Sequence, residues 1–154
     1  MRLSDPQAVS IVYEQAEANR NAVAVDYVIA RLSMMGLNIQ RLGSSQVEVY
    51  FSSTRRAIMN VRYGALDNDH YATIDAPGPI GYSEEAAFRP LFIIVGRGPE
   101  EPDVFFLHSL EARLLGEGEI KMLAPKGSME MILAGKKVLV RSDKNLRHVI
   151  HVLT

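Results

Sequence analysis

The chain has 154 residues, enough for one domain with a hydrophobic core, and 47% of them are hydrophobic, which is ordinary for a globular protein. Its net charge of -1 excludes a strongly cationic nucleic-acid coat, although it allows a local basic patch. The absence of cysteine excludes disulfides, thiolate zinc sites and thiol catalysis. We see no signal peptide and no apolar run near the ~20 residues that span a bilayer, so we expect a cytoplasmic protein with no membrane partner.

The N-terminal part of the chain predicts helix. Ser4-Asp5-Pro6 is typical of a helix start, with a capping side chain followed by proline in the first turn. Apolar residues then recur at helical spacing on both sides of residues 19–21, which indicates either one long helix or two. Gly36 is placed to end the helix, and residues 37–42 predict a strand.

Residues 46–64, QVEVYFSSTRRAIMNVRYG, predict two strands joined by a polar turn at 52–54. The first strand alternates apolar and polar residues, as half-buried strands do. Glu48, Asn60 and Arg62 are the polar positions inside these strands. The simplest interpretation of Glu48 and Asn60 is that they face solvent from an amphipathic strand.

The rest of the chain predicts a mixture of strands and short helices. In order, these are a strand at 71–74, a helix at 82–88, strands at 91–95 and 104–107 forming a hairpin, a helix at 109–115, an irregular segment at 116–127, a helix at 129–134, an edge strand at 137–141 and a helix at 146–153. We therefore expect a single domain at 1–154 of the α/β (α+β) class, with a mixed central sheet, an N-terminal helix and a meander.

Three segments, AVAVDYVIARLSMMGLNI, VEVYF and AIMNVRYG, resemble the core of the PD-(D/E)XK nuclease superfamily. In that family a helix carries an acidic residue, a strand carries an aspartate, and the next strand carries an acidic-x-lysine triplet. Asp26, ahead of Gly36, takes the helix position, Glu48 takes the position of the aspartate, and Asn60 to Arg62 take the triplet. The resemblance implies a restriction endonuclease-like core with Asp26, Glu48, Asn60 and Arg62 at the catalytic positions.

The chemistry that the resemblance implies is Mg²⁺-dependent hydrolysis of a phosphodiester, in which carboxylates hold the cation and lysine assists the attacking water. This chain departs from that pattern. Glu48 keeps the charge one methylene further out, Asn60 supplies no charge, and Arg62 stays protonated and is a poor base. The resemblance therefore implies a degraded site with no cofactor, or with Mg²⁺ held weakly by Asp26 and Glu48.

A basic cluster near the same stretch offers a second kind of site. Arg41, Arg55 and Arg56 form a candidate phosphate-binding patch, and Tyr63 is a candidate for stacking on a base. The alternative is a charged turn that keeps the hairpin soluble.

The sequence is compatible with three functions, and it leaves open whether the chain is an enzyme. The first is a nuclease-like domain with a degraded metal site that binds nucleic acid or a protein without efficient cleavage. The second is an active Mg²⁺-dependent nuclease that combines Asp26 and Glu48 with a migrated carboxylate, Glu14, Glu17 or Asp67. The third is a structural or interaction protein with no active site, for example a homodimer.

Overall fold

The computed structural model describes residues 6–76, 89–116, 118–143 and 146, with side chains from residue 19 onward. The helices in these ranges are α1 (Pro6–Met34) and α2 (Ser109–Leu114). The strands are β1 (Asn38–Arg41), β2 (Gln46–Tyr50), β3 (Arg56–Leu66), β4 (Tyr71–Ala76), β5 (Leu91–Arg97), β6 (Glu100–Leu107), β7 (Gly118–Leu123), β8 (Ser128–Leu133) and β9 (Lys136–Arg141). Neither described helix combines the length and apolarity that a membrane span requires.

A single long helix, α1, opens the fold, so the one-helix alternative is confirmed. Neither glycine nor proline interrupts its interior, and nothing else forces a break. The helix ends as predicted at Gly36, which has a φ of +85°. Gly36 N–H donates to the Ser33 carbonyl (3.0 Å) and Leu37 N–H donates to the Leu32 carbonyl (3.2 Å), the pair of bonds that defines a Schellman end.

The nine strands form one branched sheet with β3 at the branch. On one side of the branch the strand order is β1-β2-β3-β5-β6, and on the other it is β3-β4-β7-β8-β9. The β3–β5 pair is parallel, whereas the other described pairs are antiparallel. The predicted α/β class, with an N-terminal helix, a β1–β3 meander and a mixed sheet, is confirmed.

The branch lies at Gly64. Strand β3 pairs with β5 up to Gly64 and with β4 from Ala65 onward. A Cβ atom at Gly64 would lie 3.0 Å from Cγ2 of Val95 and 3.3 Å from Cβ of Ala72. Glycine at this position therefore lets β4 and β5 both approach β3 closely.

The sheet has an apolar core on each of its two faces. Phe92 and Ile94 of β5 point into the core beneath α1, and the Phe92 ring contacts that of Phe106 at a centroid distance of 5.1 Å. Ile93 and Val95 point into the second core, which β4, β7 and β8 cover. The prediction that β5 is a central strand buried on both faces is confirmed.

Two of the element predictions in the C-terminal part are wrong. The segment predicted as irregular contains β7, and the helix predicted at 129–134 is β8. Burial alternates along β8, where Met129, Met131 and Leu133 enter the second core. The hairpin to β9 closes through Ala134 and Gly135, both with positive φ, which is the backbone of a type I′ turn.

The remaining local predictions hold in part. Helix α2 is confirmed, and its N-cap is His108, whose side chain accepts from the Glu111 N–H. The predicted edge strand is β9. The helix predicted at 82–88 lies outside the described residues, and so does almost all of the one predicted at 146–153.

A buried ion pair joins the β5–β6 hairpin to the β7–β8 connection. Arg97 Nε donates to Asp103 Oδ2 at 2.7 Å, and both side chains are almost fully buried. Arg97 also donates to the carbonyls of Ala124 (2.8 Å) and Pro125 (2.9 Å), while Asp103 accepts from the Gly127 N–H (2.8 Å). The pair therefore bonds the two branches of the sheet to each other.

Replacing Asp103 with asparagine should lower the free energy of unfolding by about 3–5 kcal/mol at neutral pH, because Arg97 would stay buried without a counter-charge. Burial opposes ionisation of Asp103, but the Gly127 N–H, the Arg97 guanidinium and the Ser142 hydroxyl outweigh it and lower the pKa of the carboxyl. This contribution is complete above about pH 4 and is lost as the pH falls through the lowered pKa. Urea denaturation from neutral pH to pH 3 measures it.

Glu100 provides the matched control, because its carboxylate reaches Lys126 in the same connection at 2.8 Å with both side chains exposed. Glu100→Gln should change stability by less than about 1 kcal/mol. Equal effects of the two substitutions, or an Asp103→Asn effect that grows in acid, would contradict the assigned role of the buried pair.

Candidate functional site

Six polar side chains share the face of β2 and β3 that points away from α1. Directly paired residues of neighbouring strands share a face, and the register pairs Gln46 with Asn60 and Tyr50 with Arg56. The alternating residues of the same strands, including Val47, pack into the core beneath α1. We call this face the polar face and define it by Gln46, Glu48, Tyr50, Arg56, Asn60 and Arg62.

Glu48 is buried on the polar face, so the prediction that it faces solvent is wrong; it is 7% exposed. The Tyr50 hydroxyl donates to Glu48 Oε1, and Arg56 Nη1 lies 3.7 Å from Oε2. The hydrogen bond to the carboxylate stabilises the phenol and raises the pKa of Tyr50. Each carboxylate oxygen of Glu48 therefore has a partner within β2 and β3.

Asn60 is buried as well, at 5% exposure, and it too was predicted to face solvent. Its Oδ1 atom accepts a hydrogen bond from Gln46 Nε2 at 2.9 Å. This is the amide oxygen that would have to ligate a metal if Asn60 replaced an acidic ligand. The Gln46 amide donates to this oxygen and takes up one of its two lone pairs.

Arg62 contacts the backbone where β4 leaves β3. Its Nε donates to the Asp75 carbonyl at 2.8 Å, and its Nη1 donates to the carbonyls of Val61 (3.0 Å) and Ser45 (3.4 Å). The guanidinium thus supplies donors to carbonyls from three segments of the chain. At the branch these bonds take the place of the backbone hydrogen bonds that would otherwise join β3 to its neighbours.

The structure does not bring Asp26 to the other three predicted catalytic residues. Arg41 is paired in register with Val47, which packs beneath α1, so Arg41 lies on the α1 face. There its guanidinium donates to the carboxylate of Asp26, which is 70% exposed. Glu48 lies on the opposite face. The two carboxylates predicted to share Mg²⁺ therefore have a sheet between them.

Asp67, the one migrated carboxylate whose side chain is described, does not complete the site either. Asp67 follows the far end of β3, roughly 25–30 Å along the strand from Ile58, the register partner of Glu48. Its Oδ1 accepts from the N–H groups of Asp69 and Tyr71, each at 2.9 Å, so it orders the β3–β4 turn. The side chains of residues 14 and 17 lie outside the described part. Among the described residues no group of three His, Asp or Glu side chains is placed to hold a metal.

The predicted nucleic-acid contacts are spread over different surfaces. Arg41 and Tyr63 lie on the α1 side of the sheet, whereas Arg56 lies on the polar face and Arg55 lies in the exposed β2–β3 turn. Arg41 and Arg56 each contact a carboxylate. Tyr63 is half-buried, and its hydroxyl would lie 2.2 Å from a Cβ atom at Gly96. The four side chains do not form one basic surface.

The sequence identified Glu48 and Asn60 as polar positions but did not identify the residues that bond to their side chains. Gln46 and Tyr50 were not assigned as partners of Asn60 and Glu48. Strand alternation places Gln46, Glu48 and Tyr50 on one face of β2. If Glu48 shares a face with Asn60, Gln46 and Tyr50 must share that face as well. The strand register, which decides the pairing, could not be derived from the alternation alone.

Comparison of the chain with family models, curated proteins and solved structures gives no match. The polar face offers one carboxylate, two amides, one phenol and two guanidinium groups, all of them in contact with other groups of the protein. Such a set can hold strands together, but it presents no pair of carboxylates to a cation and no neutral base to water.

Truncating Asn60 to alanine should destabilise the protein by about 1–3 kcal/mol, because the Gln46 amide would lose its partner in a part-buried position. A double-mutant cycle with Gln46→Ala should give a coupling energy of about 0.5–1.5 kcal/mol. Chemical denaturation of the four proteins measures both quantities.

Gln40 offers the control, because it is an exposed glutamine of β1 whose register partner is Glu48. Gln40→Ala should change stability by no more than about 0.5 kcal/mol. A neutral or stabilising Asn60→Ala substitution would contradict the structural role, since residues kept for activity often carry a stability cost.

Proposed function

We propose that this chain is a non-catalytic binding domain with a restriction endonuclease-like core. In this core the residues at the nuclease positions are buried and bonded to neighbouring side chains. One observation carries the proposal: Glu48 and Asn60 are buried, and both are hydrogen-bonded to neighbouring residues of the polar face. The order of elements supports the core, because α1 is followed by the antiparallel strands β2 and β3 that carry these positions, and then by β5 and β6.

The contacts of the polar face argue against hydrolysis. Metal-assisted attack on a phosphodiester needs a cation held by several oxygen ligands and a water that can lose a proton. Glu48 is the one carboxylate among the six side chains of the polar face, and Tyr50 and Arg56 contact its oxygens. Arg62 stays protonated and bonds backbone carbonyls, so it neither activates water nor faces a substrate.

The charges favour a protein as the partner. Binding to nucleic acid draws its affinity from several cations that contact phosphates together. Arg41 and Arg56 lie on different faces, and each is close to a carboxylate that offsets its charge. With a net charge of -1 for the whole chain, no long-range attraction to phosphate compensates.

Incubation of the full chain with labelled single-stranded and double-stranded DNA and RNA, in the presence of Mg²⁺ or Mn²⁺, should leave every substrate intact. The physical reason is the absence of a multi-carboxylate ligand set on the polar face. Gel analysis over several hours, with Glu48→Ala run in parallel, measures this.

Cleavage that Glu48→Ala abolishes would overturn the proposal. Cleavage that persists unchanged in the variant would identify a contaminating nuclease and would leave it standing. The same oligonucleotides test the partner, because retention at low salt that weakens steeply as salt rises would indicate phosphate contacts and would contradict a protein partner.

A further inference from the structure

Strand β9 forms an edge of the sheet. Among the described residues it pairs with β8 alone. The turn at Ala134 and Gly135 is a two-residue hairpin loop, so the flanking pair Leu133–Lys136 exchanges hydrogen bonds, as do alternate pairs beyond it.

That alternation fixes which backbone groups of β9 point outward. Val138 and Val140 bond toward β8, and the N–H and C=O groups of Lys137, Leu139 and Arg141 point away from it. No described residue donates to or accepts from the outward groups of these three residues through its backbone, and the contact with β6 begins only at Asp143, whose N–H donates to the Val104 carbonyl at 2.8 Å. Such a row is a template for an added strand.

A cavity of about 360 Å³ runs along this edge. Phe106, Val138 and Val140 give it an apolar lining, and Val138 and Val140 also pack against the second core. Glu111 and Asp143 line it as well. A strand added to β9 would direct alternate side chains toward this cavity. Apolar side chains would fill it, whereas acidic ones would meet two carboxylates.

The opposite face of β9 has a different character. Lys137 and Arg141 are exposed on either side of Leu139, which is 55% exposed, and Ile132 of β8 beside them is 62% exposed. Glu130 of β8 lies opposite Leu139 and contacts Lys137 Nζ at 3.4 Å, but this surface pair offsets little of the lysine charge, and Arg141 is the stronger basic position of the face. Oppositely charged side chains placed directly across a pair of strands stabilise it. The complement of this face is therefore an acidic, an apolar and again an acidic residue at every second position.

We infer that β9 is a docking edge for an extended segment of a partner protein with the pattern acidic-apolar-apolar-apolar-acidic, which adds a strand to the sheet. The inference rests on the proposed binding function and names the partner chemistry for it. Main-chain hydrogen bonds supply the affinity, and the alternating side chains supply the specificity.

The charges exclude a second copy of the chain as the favoured occupant. Antiparallel pairing of β9 with itself about Leu139 places Lys137 opposite Arg141 of the other copy, twice over. Like charges directly opposite each other destabilise a strand pair. The basic residues that disfavour self-pairing are the ones that favour an acidic segment.

The test uses the full chain and a fluorescent peptide with capped ends whose centre is Glu-Val-Leu-Val-Asp, followed by fluorescence anisotropy. A second peptide with lysine at both acidic positions is the comparison. The acidic peptide should bind more tightly. Arg141→Glu should weaken its binding by about fivefold, since the exposed ion pair becomes a repulsion. The same variant should strengthen binding of the lysine peptide.

Lys121→Glu is the matched control, because it makes the same change in net charge at an exposed position on β7. It should leave the binding of both peptides unchanged. Leu139→Pro removes one outward N–H without touching the ladder to β8, and it should weaken binding by about tenfold while circular dichroism stays unchanged.

Three results would overturn the inference: equal binding of the two peptides, a Leu139→Pro variant that binds as well as the parent, or self-association that Leu139→Pro abolishes. Each of them leaves the absence of nuclease activity intact. Conversely, Glu48-dependent cleavage would overturn the proposed function without altering the peptide result, so the two failures are distinguishable.

Discussion

Burial of Glu48 and Asn60 is the constraint around which the polar face is arranged. A buried carboxylate or amide that lacks a hydrogen-bond partner costs several times what an ordinary hydrogen bond contributes. Gln46, Tyr50 and Arg56 meet this requirement from neighbouring positions on the same two strands. Each of these oxygens then has a partner within the protein, and the Gln46–Asn60 and Arg56–Glu48 contacts hold β2 against β3.

Charged residues also join the strands where the sheet branches at β3. Where β4 leaves β3, ladder hydrogen bonds stop, and the Arg62 guanidinium bonds the Asp75 carbonyl instead. Further along, Arg97 and Asp103 connect the two branches through the β7–β8 connection. Three charged residues that could suggest chemistry are thus used to join strands. Among the described residues, the edge strand β9 pairs with β8 alone, and this edge is where we propose that a partner binds.

Sequence alone predicted much of the fold, because period-2 alternation and turn residues are local signals. It gave the β1–β3 meander, the doubly buried β5 and the end of α1 at Gly36. It failed for β8, since a short apolar run such as Met129–Leu133 fits a strand or a helix equally well until a pairing partner is known. The sequence also identified Glu48, Asn60 and Arg62 as polar positions inside strands, but only the register shows that they share a face. Arg62 bonds a carbonyl 13 residues away, which no local pattern predicts.

We propose that internal hydrogen bonds stand in place of metal ligation on the polar face. This can be tested by titrating the isotope-labelled protein with Mn²⁺, which broadens nuclear magnetic resonance signals of nearby protons. We predict that the side-chain amide signals of Gln46 and Asn60 broaden no more than signals near exposed carboxylates such as Asp69. Selective broadening of these two amides, removed by Glu48→Gln, would show a bound cation and contradict this proposal.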